Sequence, residues 1–135
     1  MSQDVFFDTN ILVYAYTRED YRTPTARKLL QDGGVVGVQA LHEFASVAKG
    51  KLAMNWAEVQ ASIDQILLLC PNPRPLNFET HQRALSISKR YGFSIWDGLI
   101  VAAAVEARCS KLLTEDLQHG QVVEGVRIEN PFIGL

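Results

Sequence analysis

The sequence predicts an α/β domain, three layers deep, with a mainly parallel sheet between two layers of helices. Three observations predict it. Short apolar, β-favouring runs recur at Val5–Phe7, Val35–Val38 and Lys111–Thr114, the signature of strands buried on both faces. Longer stretches between them repeat their apolar residues every three or four positions, the period of an amphipathic helix. Nothing in the chain reads as a repeat, a low-complexity tract or a linker, so the alternation describes a single domain over 1–135.

In order, Val5-Phe6-Phe7 stops at Asp8, and Ile11, Leu12, Ala15 and Tyr16 then follow at helical spacing. Thr23-Pro24 starts a second helix, with Thr23 as N-cap and Pro24 where a missing N–H costs little. That helix carries Ala26, Leu29 and Leu30 and ends at Gly33-Gly34. A second strand over Val35–Val38 leads into a helix over Gln39–Lys51. Asn55-Trp56-Ala57-Glu58 resembles a capping box, and Trp56, Val59, Ile63, Ile66, Leu67 and Cys70 share one face of the helix behind it. Pro71, Pro73 and Pro75 punctuate a loop, with a short strand expected near Leu76–Phe78. Glu79–Tyr91 reads as a helix stopped by Gly92. Ser94 opens the last helix, to about Arg108, before strands at Lys111–Thr114 and Val126–Ile128.

A chain of 135 residues, 47% hydrophobic and 21% charged, can bury a core and is no disordered tail. Its net charge of −2, from 13 basic and 15 acidic residues, gives no composition-level sign of nucleic-acid binding. A site that gathers carboxylates around a cation would itself lower that charge. Cys70 and Cys109 form no CxxC pair; they suit a reducing compartment as small buried hydrophobes, with a single disulfide left open. The longest apolar run, Leu99–Val105, falls far short of the ~20 residues that span a bilayer, and no signal-like segment begins the chain. A cytoplasmic protein without a membrane anchor is expected.

Parallel sheets bind ligands beyond the carboxyl ends of their strands, and carboxylates gather there. Asp8 ends the first strand. Asp116 follows the strand Lys111–Thr114. Asp97 lies in the first turn of the helix after Ser94, and Glu43 early in the helix after the second strand. Hard divalent cations such as Mg²⁺ and Mn²⁺ prefer such oxygens. A cation offsets the mutual repulsion of the acids and lowers the pKa of a bound water. Each acid also has a plain structural reading. Asp8 can be a helix N-cap, Asp97 the partner of Ser94 in a capping box, and Asp116 a turn residue. Glu43 sits at the margin of the apolar face formed by Ala40, Phe44 and Val47 and needs a partner, a cation or exposure.

These residues resemble the motifs of the PIN-domain family. Phe7-Asp8-Thr9-Asn10-Ile11-Leu12 is similar to its opening motif, and Val38 through Phe44 to its second, around Glu43. Ser94-Ile95-Trp96-Asp97-Gly98 resembles the third and Leu113-Thr114-Glu115-Asp116 the fourth; Ile128-Glu129-Asn130-Pro131-Phe132 is like the ending of many bacterial members. The match runs in order over essentially the whole chain, and within the family it is nearest to VapC-type toxins. The resemblance implies a PIN-like fold and a Mg²⁺- or Mn²⁺-dependent endoribonuclease leaving 5′-phosphate and 3′-hydroxyl ends, held inactive by a small antitoxin protein. It implies metal ligation by Asp8 and Asp97 with Asp116 assisting, Glu43 acting through water, and Asn10 and Thr114 orienting the carboxylates. Gly98 stands where alanine is common; it should cost the helix ~0.5–1 kcal/mol and leave the site slightly more open. The RNA substrate would be guided by Arg18, Arg22, Arg27, Lys28, Lys49, Lys51, Lys89 or Arg90, although each can be an ordinary solvated helix face. His119 lies beside the site as a loop residue. A homodimer is expected through exposed apolar residues on an amphipathic helix. The competing readings are a catalytically silent PIN-like binding module, a receiver-like domain, and a haloacid-dehalogenase-type phosphatase. The phosphatase wants a second aspartate where this chain has Asn10.

Overall fold

The computed structural model describes residues 4–135; the first three positions of the expected domain lie outside the described residues. Strand β1 (Val5–Phe7) is followed by helices α1 (Thr9–Ala15), α2 (Thr23–Gln31), α3 (Val38–Gly50), α4 (Trp56–Leu69), α5 (Phe78–Tyr91) and α6 (Ile95–Glu106). Strands β2 (Lys111–Leu113), β3 (Val122–Val123) and β4 (Val126–Glu129) close the chain. The sheet has the order β1-β2-β4-β3, parallel except for the last pair.

Successive residues of a strand face opposite sides of the sheet, and here that alternation divides two cores. Phe7 and Leu113 pack on one side with Ile11, Leu12, Ala26, Leu30, Phe44 and Ile66, from α1 to α4. Phe6, Leu112 and Ile128 pack on the other with Ala84, Ile87, Val101 and Ala104, from α5 and α6. The result is the three-layer α/β/α arrangement.

Several expected boundaries move. Val35–Val38 makes no regular strand. Val35 bridges to Phe6, Gly37 bridges to Arg74, and Val38 already belongs to α3. The backbone there is nonetheless paired on both sides: Phe7 N–H donates to Val35 O at 2.9 Å and Arg74 N–H to Val36 O at 2.8 Å. The strand expected at Leu76–Phe78 is absent, because the pairing partner is Arg74 and Phe78 opens α5. Thr23 is inside α2, not its cap; its hydroxyl donates to Tyr14 O at 2.8 Å and Thr17 O at 3.0 Å. Trp56 does not join the buried face of α4 and is 67% exposed, with the Lys49 ammonium over its ring. The Asn55–Glu58 capping box forms with both bonds, and Gly92 ends α5 at φ 75°. Helix α6 stops two residues short of Arg108, which takes the left-handed region at φ 57°. The β3–β4 hairpin was not expected. Its turn, Glu124-Gly125, has positive φ at both residues, 47° and 85°, as the tight turns that match strand twist require. Cys70 and Cys109 are both buried thiols, and burial pushes both up to about 11. Among the described residues no helix is long and apolar enough to cross a membrane.

Gly98 does not open the site. A Cβ built there would meet Ser88 Oγ at 1.9 Å and Ala84 O at 2.9 Å, so its missing side chain is what lets α6 lie close against α5. Gly98→Ala should destabilise the protein by about 1–3 kcal/mol through overpacking, more than offsetting the ~0.5–1 kcal/mol of helix propensity that alanine brings. Urea unfolding checks this; a variant as stable as the parent would show that the two helices have slack.

Candidate active site

Register builds the site. Phe7 lies opposite Leu113 in the parallel β1–β2 pair, so Asp8 and Thr114 emerge together one residue beyond the strands. Asp8 is 8% exposed and Thr114 fully buried. The Thr114 hydroxyl donates to Asp8 Oδ2 at 2.7 Å, and Thr9 N–H donates to Asp8 Oδ1 at 2.7 Å. Asp8 is therefore the N-cap of α1, and both of its oxygens are fixed from within the protein.

Glu43 approaches from α3. Thr9 Oγ1 donates to its Oε2 at 2.8 Å, and Gln39 Nε2 to its Oε1 at 2.9 Å. Asp116 enters from the turn after β2, where its N–H donates to Thr114 Oγ1 at 3.1 Å. Asn10 Nδ2 reaches Asp116 Oδ2 at 3.2 Å and Thr114 Oγ1 at 3.4 Å. Asp97 is half-buried in the first turn of α6, where only the Ser94 half of a capping box forms: Asp97 N–H donates to Ser94 Oγ at 3.1 Å. Its carboxylate is free of that cap and acts on Asp116 through space. Asp8, Glu43, Asp116, Asn10 and Thr114 are thus joined by hydrogen bonds that also run through Thr9, and Asp97 by electrostatics alone. Sequence reasoning missed Thr9 and Gln39. The hydroxyl beside Asp8 and the amide one turn before Glu43 were the available signals.

Burial raises the Asp8 carboxyl to about 6. The bonds from Thr114 and Thr9 oppose the rise, and the charges of Asp116 and Glu43 add to it. Asp116 is raised too, by desolvation first and then by Glu115, Asp97 and Glu43, against the Asn10 bond. Among the described residues, no three acidic, histidine or cysteine side chains stand close enough together to enclose a cation as they are. The donor set nevertheless fits a hard divalent cation, since it is all oxygen and carries more negative charge than its own donors neutralise. A second observation agrees. Among the described residues Asn10 Oδ1 is buried without a hydrogen-bond partner, an acceptor with nothing donating to it beside a group of carboxylates. Such an atom carries a desolvation cost that a cation or its water would remove.

The basic residues expected to guide a substrate are mostly occupied. Arg22 pairs with Asp20 at 2.8 Å and Glu115 at 3.0 Å, Arg27 donates to Ala15 O, and Lys28 pairs with Asp32. Lys49 and Arg90 lie over the Trp56 and Tyr91 rings. Arg18 and Lys51 stand together at a cavity of about 480 Å³ bounded by Tyr16 and Met54. The His119 Nδ1 accepts from Asn130 N–H at 3.0 Å, a structural role in its loop.

The structure is similar to solved toxin structures, each a likeness of fold. A toxin–antitoxin complex from Klebsiella pneumoniae superposes with a TM-score of 0.71 at 18% identity, over 95% of this chain and 98% of that one. The sarcin–ricin-loop-cleaving toxin VapC20 of Mycobacterium tuberculosis gives 0.67 at 16% identity, over 91% and 98%. VapBC2 of Rickettsia felis, bound to a DNA fragment from its promoter, gives 0.64 at 19% identity, over 93% and 97%. A search of curated protein sequences finds no match. The sequence profile of the PIN domain matches residues 5–124, four-fifths of the chain and more, including every carboxylate of the site, and the chain belongs to the PIN domain family.

Proposed function

We propose that this protein is a Mg²⁺- or Mn²⁺-dependent endoribonuclease and the toxin of a toxin–antitoxin pair. The observation that carries the reading is Asp8, a carboxylate buried where β1 meets α1, with Glu43 and Asp116 acting on it and its pKa raised to about 6. A PIN domain with that site supports a nuclease, and the toxin–antitoxin neighbours support the narrower role.

Asp8, Asp97 and Asp116 would hold the cation. When bound it supplies charge stabilisation at the phosphoryl oxygen and a lowered pKa for an attacking water. Glu43, gripped by Thr9 and Gln39, would take the proton of the attacking water. Thr114 and Asn10 keep Asp8 and Asp116 from turning away. The phosphodiester opens to a 5′-phosphate and a 3′-hydroxyl.

A small antitoxin would dock at the mainly apolar cavity of about 460 Å³ lined from α1, α2 and α4 by Ala15, Tyr16, Leu30, Leu68 and Leu69, with Arg27, Gln31 and Gln65 supplying its polar groups. Leu68 is 76% exposed there, and an apolar partner segment would cover it. A homodimer would use the outer side of α5, where Phe78 and Leu85 are 71% and 51% exposed.

Asp8→Asn should keep the fold and lose at least about a hundredfold of the Mg²⁺- or Mn²⁺-dependent cleavage of RNA, the upper end of what outer partners of a metal cost. Cleavage at the parent rate would remove Asp8 from the site, and a parent protein that neither binds the cations nor cuts RNA would leave a silent binding module.

The same carboxyl gives a pH dependence. Its folded value, about 6, lies above the usual 3.8, so the metal-free fold holds the proton more tightly than the unfolded chain does. That stability is fully present below ~4 and is lost as the pH rises through about 6, by up to about 3 kcal/mol. The difference in unfolding free energy between the parent and Asp8→Asn should show this pH slope. Mg²⁺ or Mn²⁺ at neutral pH should restore the loss and raise Tm at matched ionic strength. An unchanged Tm sinks the metal assignment.

A further inference from the structure

Two carboxylates follow Thr114 in succession, and the structure sends them different ways. Asp116 turns to Asn10, at 3.2 Å. Glu115 turns to Tyr14, whose hydroxyl donates to it, and to Arg22, at 3.0 Å. Asn10 and Tyr14 are four residues apart on α1, hence on one face of it, so a single helix face separates the pair. Arg22 completes the separation from the loop before α2. Its guanidinium takes Asp20 at 2.8 Å through both Nε and Nη2, and it lies 3.9 Å over the Tyr14 ring. Tyr14 is itself braced edge-on against Phe132. Arg22 and Glu115 are each 23% exposed, so this is a part-buried, four-membered network of fixed geometry. The charge of Glu115 acts on Asp116, raising its pKa.

We propose that Arg22 is a positioning residue for the cation site, holding Glu115 out of it so that Asp116, and not its neighbour, serves there. The inference rests on the metal-nuclease reading above. A carboxylate is a hard ligand wherever it can reach, and Glu115 differs from Asp116 by one position and one methylene. Without the guanidinium, the charge of Glu115 has, among the described residues, the Tyr14 hydroxyl alone to satisfy it, and a divalent cation next door is the stronger attraction. A second carboxylate on the cation would occupy a position that water or the phosphate needs.

The test is Arg22→Gln alone and with Glu115→Gln, each followed by Mn²⁺ titration calorimetry, thermal melting and RNA cleavage at saturating Mn²⁺. In the single variant, cleavage should fall roughly tenfold, the scale of outer-partner losses, while Mn²⁺ binds as tightly as before or tighter. In the double variant, the rate should return to within about twofold of the parent, because the neutral amide no longer competes for the cation. A loss that Glu115→Gln does not restore, or that comes with weakened Mn²⁺ binding and a collapsed melt, overturns the inference and makes Arg22 a structural residue. A single variant as fast as the parent also overturns it and leaves the nuclease reading intact. Only a parent protein that fails to bind Mn²⁺ removes both.

Discussion

Everything at the candidate site depends on one buried charge and the strand register that shelters it. Asp8 is 8% exposed, and a carboxylate that deep is costly unless its lone pairs are met. What meets them is set by the pairing of β1 with β2. Asp8 N–H donates to Leu113 O at 3.0 Å, and Thr114 N–H to Glu129 O at 3.0 Å, which holds the Thr114 hydroxyl against Asp8 Oδ2. A slip of one residue would exchange the faces of Phe6 and Phe7. It would put each against the wrong core and separate Asp8 from its partner together. The hydrophobic pattern that specifies the fold therefore also specifies the site.

The same coupling explains what could be read in the sequence. Asp8 was legible because an apolar strand stopped at an acid and a helix began, and those are local events. Asp97 and Asp116 were legible for the same reason, each beside a cap or a strand end. The second strand was not, because Val35–Gly37 gets its backbone partners from Phe6 on one side and Arg74 on the other. Neither partner is visible in the run itself, and Val38 is taken by α3. The β3–β4 hairpin hid behind a glutamate at φ 47°, where glycine, asparagine or aspartate would have advertised the turn. Gly98 was misread because its contact is with Ser88 and Ala84 on another helix, and its own helix carries no trace of that. Trp56 looked like core by spacing alone; periodicity finds a face without saying whether anything covers its first turn.

Helix α1 has seven residues, yet it sorts the carboxylates that follow β1 and β2. Its first turn caps on Asp8 and sends Thr9 to Glu43. Asn10 takes Asp116, and Tyr14 takes Glu115 one turn later. Its opposite side buries Ile11, Leu12 and Ala15 in the core shared with α2 and α3. A helix this short has little stability of its own, so its precision comes from that packing, and the site inherits its order from apolar residues that touch no carboxylate.

The near-neutral charge, which gave no composition-level sign of nucleic-acid binding, has a local explanation. Six of the 13 cations counted in the sequence are spent inside the protein: Arg22 on Asp20 and Glu115, Arg27 on a carbonyl, Lys28 on Asp32, Arg83 on Glu106 and Glu124, and Lys111 and Arg127 on Glu129. The site itself is a concentration of negative charge with its own donors already used. A phosphodiester brought to it alone meets repulsion, and exposed lysines at a Debye length of ~8 Å relieve that only weakly. The sign of the site has to be reversed from inside. On the proposed reading, a divalent cation held by Asp8, Asp97 and Asp116 would do so, which would make substrate binding as metal-dependent as the chemical step.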